Sequence, residues 1–387
     1  MLRMHQWWLS LLTAAALVGG AAWPAVAQEA EKKAEDKPAA EKKAEEKPAD
    51  PKPAEATGQM TKEAIIHLDN PSGVAVHPGT GHVFAVSAQG VFRYVPGKPS
   101  KIYLEIEGYP SPLDIYGKGP MYNIGPLGVA LWGTDKLIVP DGSRKDGEEL
   151  VRIYKIEDAV PGKPRKEDAA EFTLGPIAPN EETSPKGEGN FYAAVVWKDA
   201  IYITSNGDDT KGWIAKSVIA DGKPGPLTPS IATKVAVEVD APIGITVSPD
   251  GNNLVVSQGG EVNMPGDSLL TTYDAEGKLV KKYTTGLNDI CGLAYSPSGK
   301  LYAVDFSWVD PAKGGLFELV IEGDECKPKP IPLTAKGADG KVVEYKLDRP
   351  TALAFDKEGG LYISVFGTGK DTGDKPKGGV IRVDPGL

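Results

Sequence analysis

The chain has 387 residues, 41% of them hydrophobic and 7% aromatic, with 46 Gly and 33 Pro. Enough apolar material for a large core beside so many turn-formers predicts a β-rich globular chain and excludes a helical bundle. A net charge of −10 at pH 7 argues against a phosphate-backbone binder, so no nucleic-acid partner is expected. With only Cys291 and Cys326, a disulfide scaffold, a four-thiolate zinc site and covalent haem are excluded.

Arg3 and His5 precede an apolar run from Trp7 to Val18, and Ala25-Val26-Ala27 has the small-x-small form that a signal peptidase accepts. Residues 1–27 are read as a cleaved secretory signal, which predicts a secreted or periplasmic protein with no integral membrane segment after cleavage. From Gln28 the composition collapses to Ala, Glu, Lys and Pro, with EKKAEDKPAA and EKKAEEKPAD in tandem from Glu31 and Glu41. Residues 28–60 have almost nothing to bury, so they are expected to form a solvated, disordered spacer.

Residues 61–387 form the folded domain, and they repeat. The clearest copies begin NPSGVAV at Asn70, APIGITV at Ala241, DICGLAY at Asp289 and RPTALAF at Arg349, with weaker ones at Gly125 and Asn190. Each has a short apolar strand, a tight turn and an alternating second strand, and a third strand follows each pair. Small residues recur on one frame, at Gly73, Gly128, Ala193, Gly244, Gly292 and Ala352. Such residues are needed where strands crowd an axis. Six units of four antiparallel strands, at about 55 residues each, predict an all-β fold, a six-bladed β-propeller. The last unit stops at its third strand, and Glu63 to Leu68 can supply the missing fourth and close the ring. No helix is expected in the domain.

The pattern Pro-x-Gly, three apolar positions, a glycine turn and Leu-Tyr-apolar-apolar-Asp, best kept in Asp289 to Asp305, resembles the NHL repeat. More loosely, the units resemble the superfamily of six-bladed propellers that includes the gluconolactonase and senescence-marker lactonases. That resemblance implies the fold, and it makes calcium a possible cofactor, since the lactonases hold one calcium on the axis at the starts of inner strands. The corresponding positions here are Ser72, Leu127, Tyr192, Ile243, Cys291 and Thr351, without a carboxylate or carboxamide. Calcium wants six to eight oxygen ligands, so this axis reads as a poor site, with Asn123, Asn190, Asn288 and Asp289 close by in loops.

Turns between first and second strands are short, whereas the opposite face carries long connections such as QGGEVNMPGD from Gln258 and FGTGKDTGDKPKG from Phe366. Ligand binding is expected on that long-loop face. Its candidates are the aromatic residues Tyr122, Tyr192 and Trp308 and the polar residues Asn123, Asp141, Asn190, Asn206, Asp289 and Asp305, a mixture suited to sugars or polar peptides. Aromatics packing the loops and acids capping turns are the alternative. Asp208 and Asp209 are the weak candidates for a surface cation. His67, His77 and His82 all fall in the first unit, so no Ser-His-Asp triad and no catalytic residue is assigned. The expected function is an exported, non-catalytic binding or scaffold propeller for a carbohydrate or protein ligand. The alternative is a lactonase-like hydrolase with an axial calcium.

Overall fold

The structure is a computed structural model that describes residues 57–110, 124–158, 160–207, 211–261, 263–367 and 376–387. Its strands fall into six sheets, each beginning with one of the six repeated hairpins. Their inner strands are Gly73–Val76, Ala130–Trp132, Phe191–Trp197, Pro242–Val247, Ile290–Tyr295 and Pro350–Phe355, numbered here as blades one to six. Second strands such as Val83–Ser87, Leu254–Gln258 and Leu361–Val365 are buried at every residue, because each sheet is covered on both faces by its neighbours. That is why these segments read as nearly continuous apolar runs. The apolar cores accordingly lie between blades: Tyr302, Val304 and Leu316 of blade five meet Leu353, Ile363 and Ile381 of blade six in one of them.

The small residues on the repeat frame do mark the axis. A Cβ added at Gly73 would lie 2.9 Å from the Cα of Gly128, and one at Gly128 only 1.9 Å from the carbonyl oxygen of Tyr192. Inner strands at that spacing leave no room for a side chain. Buried hydroxyls then tie successive blades together. Ser72 donates to the Pro126 carbonyl (3.1 Å), Thr204 to Ile243 (2.7 Å), Ser257 to Ile290 (2.9 Å) and Thr351 to Pro71 (2.9 Å).

The ring closes as the sequence suggested. Gln59–Leu68 pairs antiparallel with Gly378–Val383, from Thr61 opposite Val383 to Leu68 opposite Gly378, and so becomes the fourth strand of blade six. Its start does more than expected. Gln59 and Met60 also pair in parallel with Leu333 and Thr334, whose hairpin partner Val342–Glu344 extends that blade to six strands. Blade one likewise gains Arg165–Lys166, in parallel with Lys101–Glu107. The expectation of no helix is corrected by one turn of α-helix, Thr233–Val237, linking blades three and four. It ends where Glu238 turns left-handed (φ 64°) and its N–H caps the Lys234 carbonyl, a segment too short to show a helical period. No helix among the described residues is long and apolar enough to cross a membrane.

His77 is a turn residue. Its Nδ1 accepts from the N–H groups of Gly79 and Thr80 (3.1 and 3.0 Å), which leaves the Nε2 proton for the Thr134 carbonyl at 2.8 Å. Cys291 and Cys326 are both buried and unpaired, one starting an inner strand and the other in the outermost strand of the same blade.

Candidate functional site

Each inner strand is approached through a lead-in residue three positions before the small axial residue: Asn70, Gly125, Asn190, Ala241, Asp289 and Arg349. In several blades the lead-in carbonyl is latched to the end of the second strand, as Ala241 by the Gly259 N–H, Asp289 by Phe306 and Arg349 by Phe366. Four of the six lead-in residues are left-handed, with φ 47° at Asn70, 45° at Asn190, 59° at Ala241 and 57° at Arg349. Asn tolerates that conformation; Ala and Arg do so at a cost of about 1 kcal/mol or more. The latch holds the lead-in backbone of these blades against the loop that follows the second strand, on the long-loop face.

At the axis itself the six positions before the small residues carry little that binds a cation. Leu127 packs over Gly142 and Ile243 over Gly259. The hydroxyls of Ser72 and Thr351 are spent on the inter-blade carbonyls. Tyr192 is buried, and burial together with the nearby Cys291 thiol pushes its phenol well above the ordinary range. Burial, with Asp289 and Asp305 beside it, likewise pushes the Cys291 thiol up. Among the described residues no group of three His, Cys, Asp or Glu side chains could hold a metal ion. The axial residues therefore do not fit the calcium that the lactonase resemblance implied.

The expected polar residues fall into two groups. Between blades two and three, Asp141 is fully buried and accepts from the backbone N–H and hydroxyl of Ser143 (2.9 and 2.6 Å) and from Arg144, which also pairs with Glu167. Asn190 joins this group through its N–H, which donates to Glu149 Oε2 at 2.6 Å, and through its side-chain amide, which reaches the Asn206 carbonyl at 3.4 Å. Glu149 and Glu188 are completely buried acids that the sequence did not single out. Glu188 accepts from Ser184 and, at 2.6 Å, from Ser205. Burial, with Asp146 and Asp141 nearby, pushes the Glu149 carboxyl well above its usual range, and its Oε1 has no hydrogen-bond partner among the described residues. This group is mostly self-satisfied: it fastens the blade-two loop to the start of blade three.

Between blades five and six the arrangement is more open. Asp305 holds the local backbone, accepting from the N–H groups of Asn288, Asp289 and Ser307 at 2.8 to 3.0 Å. Asp289 is half-buried and uses Oδ2 to accept from the Trp308 N–H at 2.6 Å. Burial pushes the Asp289 carboxyl up to about 7, with the charges of Asp305 and Asp267 adding to it. Trp308 lies stacked on Phe306 (centroids 5.3 Å apart, planes 11° apart), Phe366 meets Phe306 edge-on at 5.7 Å, and the guanidinium carbon of Arg349 stands 5.8 Å from the ring centres of both Phe306 and Trp308. A separate cavity of about 300 Å³, lined by Pro311 to Phe317, Pro330 to Leu333 and Glu344 to Leu347, includes none of these residues.

Of the residues that the sequence put forward, then, Asp289, Asp305 and Trp308 come together, Asp141, Asn190 and Asn206 form the second group, and Tyr192 turns to the axis. Tyr122, Asn123, Asp208 and Asp209 lie outside the described residues. Arg349, Phe306 and Phe366 were missed, although the repeat frame aligns Arg349 with Asp289.

Comparison with known proteins agrees on the fold. No protein-family model matches the chain, and no curated protein matches its sequence. Among solved structures, a glucose dehydrogenase is 13% identical, with a TM-score of 0.52, covering 84% of this chain and 99% of that one. The PQQ-bound form of an aldose sugar dehydrogenase from Streptomyces coelicolor is 16% identical (TM-score 0.50; 86% and 100% covered). A putative gluconolactonase aligns at 14% identity (TM-score 0.48; 85% and 93% covered). At these identities the likeness is one of propeller architecture, which hosts many chemistries.

Proposed function

We propose that the chain is an exported propeller that binds a carbohydrate ligand on its long-loop face over blades five and six, without transforming it. The observation that carries this reading is the open cluster there: a half-buried Asp289 with one carboxyl oxygen uncommitted to any described residue, bonded to the backbone of the half-buried Trp308. Sugar sites combine a flat aromatic with a few polar groups in this way. At the axis, by contrast, Leu127 and Ile243 pack over glycines and the hydroxyls of Ser72 and Thr351 are committed to inter-blade carbonyls. Export rests on the Ala-Val-Ala signal pattern and the spacer that follows it.

The test is binding of the purified full chain to immobilised oligosaccharides, compared with Trp308→Ala. Loss of binding in a variant that melts like the parent supports the site; equal binding by both sinks it.

A second reading, a hydrolase of the lactonase kind, is favoured by Asp289 alone, because a carboxyl pushed up to about 7 suits a general base. No step is derived through calcium, since the axial residues do not supply its ligands. Turnover of gluconolactone by the parent, abolished in Asp289→Asn, would replace the binding reading with this one.

A further inference from the structure

Arg349 stands apart from every other described arginine. Arg93, Arg144, Arg152, Arg165 and Arg382 each form an ion pair with a carboxylate. Arg349 forms none with any described residue. Its Nε is buried without a hydrogen-bond acceptor among those residues, and its guanidinium rests against the Phe306 and Trp308 rings. Its backbone is left-handed at φ 57°, where Asn70 and Asn190 serve in other blades at less cost. Ala241 takes the same backbone conformation in blade four, so what sets Arg349 apart is a half-buried guanidinium with no carboxylate partner among the described residues.

We propose that Arg349 recognises an anion, and that the carbohydrate bound on this face carries a carboxylate, as uronic-acid sugars do. This rests on the binding reading above. With no described residue accepting from its guanidinium, Arg349 can offer the two parallel N–H groups of its Nη edge, the fork that matches the two oxygens of a carboxylate or phosphate. The neighbourhood chooses between them. Asp289 is bonded to the Trp308 N–H and has Asp305 and Asp267 close enough for their charges to push its carboxyl further up, so acids already lie on this side of the ring pair. A monoanion fits such surroundings better than a phosphate dianion. The ring faces hold the guanidinium plane in place, so less rotamer entropy is lost on binding than for a free side chain.

The experiment is calorimetric titration of the full chain with trigalacturonate, with its methyl ester, and with an acidic hexapeptide. Trigalacturonate should bind at least about tenfold more tightly than the ester, and Arg349→Gln should erase that preference while leaving the melting temperature within about 2 °C. Equal affinity for acid and ester overturns the anion proposal and leaves the sugar-binding role standing. Binding of the peptide but of neither sugar overturns the sugar assignment. Failure of the parent to bind any of the three overturns both. Should Arg349→Gln not fold, the acid-to-ester ratio of the parent decides alone.

Discussion

Ring closure can be tested at two adjacent, identical residues. In the closing strand Ile65 is 1% exposed and Ile66 is 49% exposed. Strict alternation is broken here by two register irregularities, between Glu63 and Ile65 and between Ile66 and Leu68, with His67 left-handed at φ 62°. They bring Thr61, Ile65 and Leu68 to the buried side. Ile65 packs with Val74, Val83 and Val380 in the core between blades six and one, so Ile65→Ala removes buried methyl groups from the joint itself. Truncation of that kind costs about 2 to 5 kcal/mol, whereas Ile66→Ala, half in solvent, should cost less than about 1 kcal/mol. At about 2 to 4 °C per kcal/mol for a domain of this size, the first variant melts roughly 5 to 15 °C below the parent and the second within a few degrees. Urea titration followed by tryptophan fluorescence gives the midpoints, with an unchanged slope confirming that only stability moved. Equal losses at the two positions would refute this register.

Removing residues 28–57 should leave the melting temperature nearly unchanged, while removing 61–68 exposes the edge of Gly378–Val383 and produces aggregation, read by light scattering. Ser257→Ala leaves the Ile290 carbonyl and the Gly244 N–H without their hydroxyl partner, which should cost about 1 to 3 kcal/mol in the same urea titration. Thiol titration should find two reactive groups in denatured, unreduced protein and close to none in the native state, because both cysteines are buried and unpaired; a mapped disulfide would contradict this. Asp289, raised to about 7 from an ordinary carboxyl near about 3.9, keeps a proton in the folded state that the unfolded chain releases, so its contribution to stability falls as pH rises between those values. Asp289→Asn should therefore match the parent at pH 4 and exceed it at pH 8; a constant difference across that range removes the assignment.

Much of the fold was legible because its demands are local. A Gly or Ala is needed wherever inner strands meet at the axis, and a nearly unbroken apolar run wherever a second strand is covered on both faces. Both requirements recur at fixed offsets in all six units, so they survive in the sequence even where the copies have drifted. The parallel pairings of Gln59–Met60 and Arg165–Lys166 leave no such mark, since they join segments far apart in the chain through backbone groups that any residue supplies.

The site was legible only by residue type, and type alone separates badly the acids that fasten loops from those that face a ligand. Glu149 and Glu188 sit in segments, DGSRKDGEE and KGEGN, whose composition reads as solvated loop; their complete burial follows from one loop folding over the start of the next blade, which no local pattern announces. Arg349 was hidden differently. A search for acids, amides and aromatics passes over an arginine, yet the repeat frame gave the means to find it. At the lead-in position the fold asks only for a tight turn, and Asn, Gly or Ala meets that need in four blades. An aspartate and an arginine in the two adjacent blades five and six are more than the turn requires, and both meet the same loop: Asp289 takes the Trp308 N–H, and the Arg349 guanidinium stands over the Phe306 and Trp308 rings.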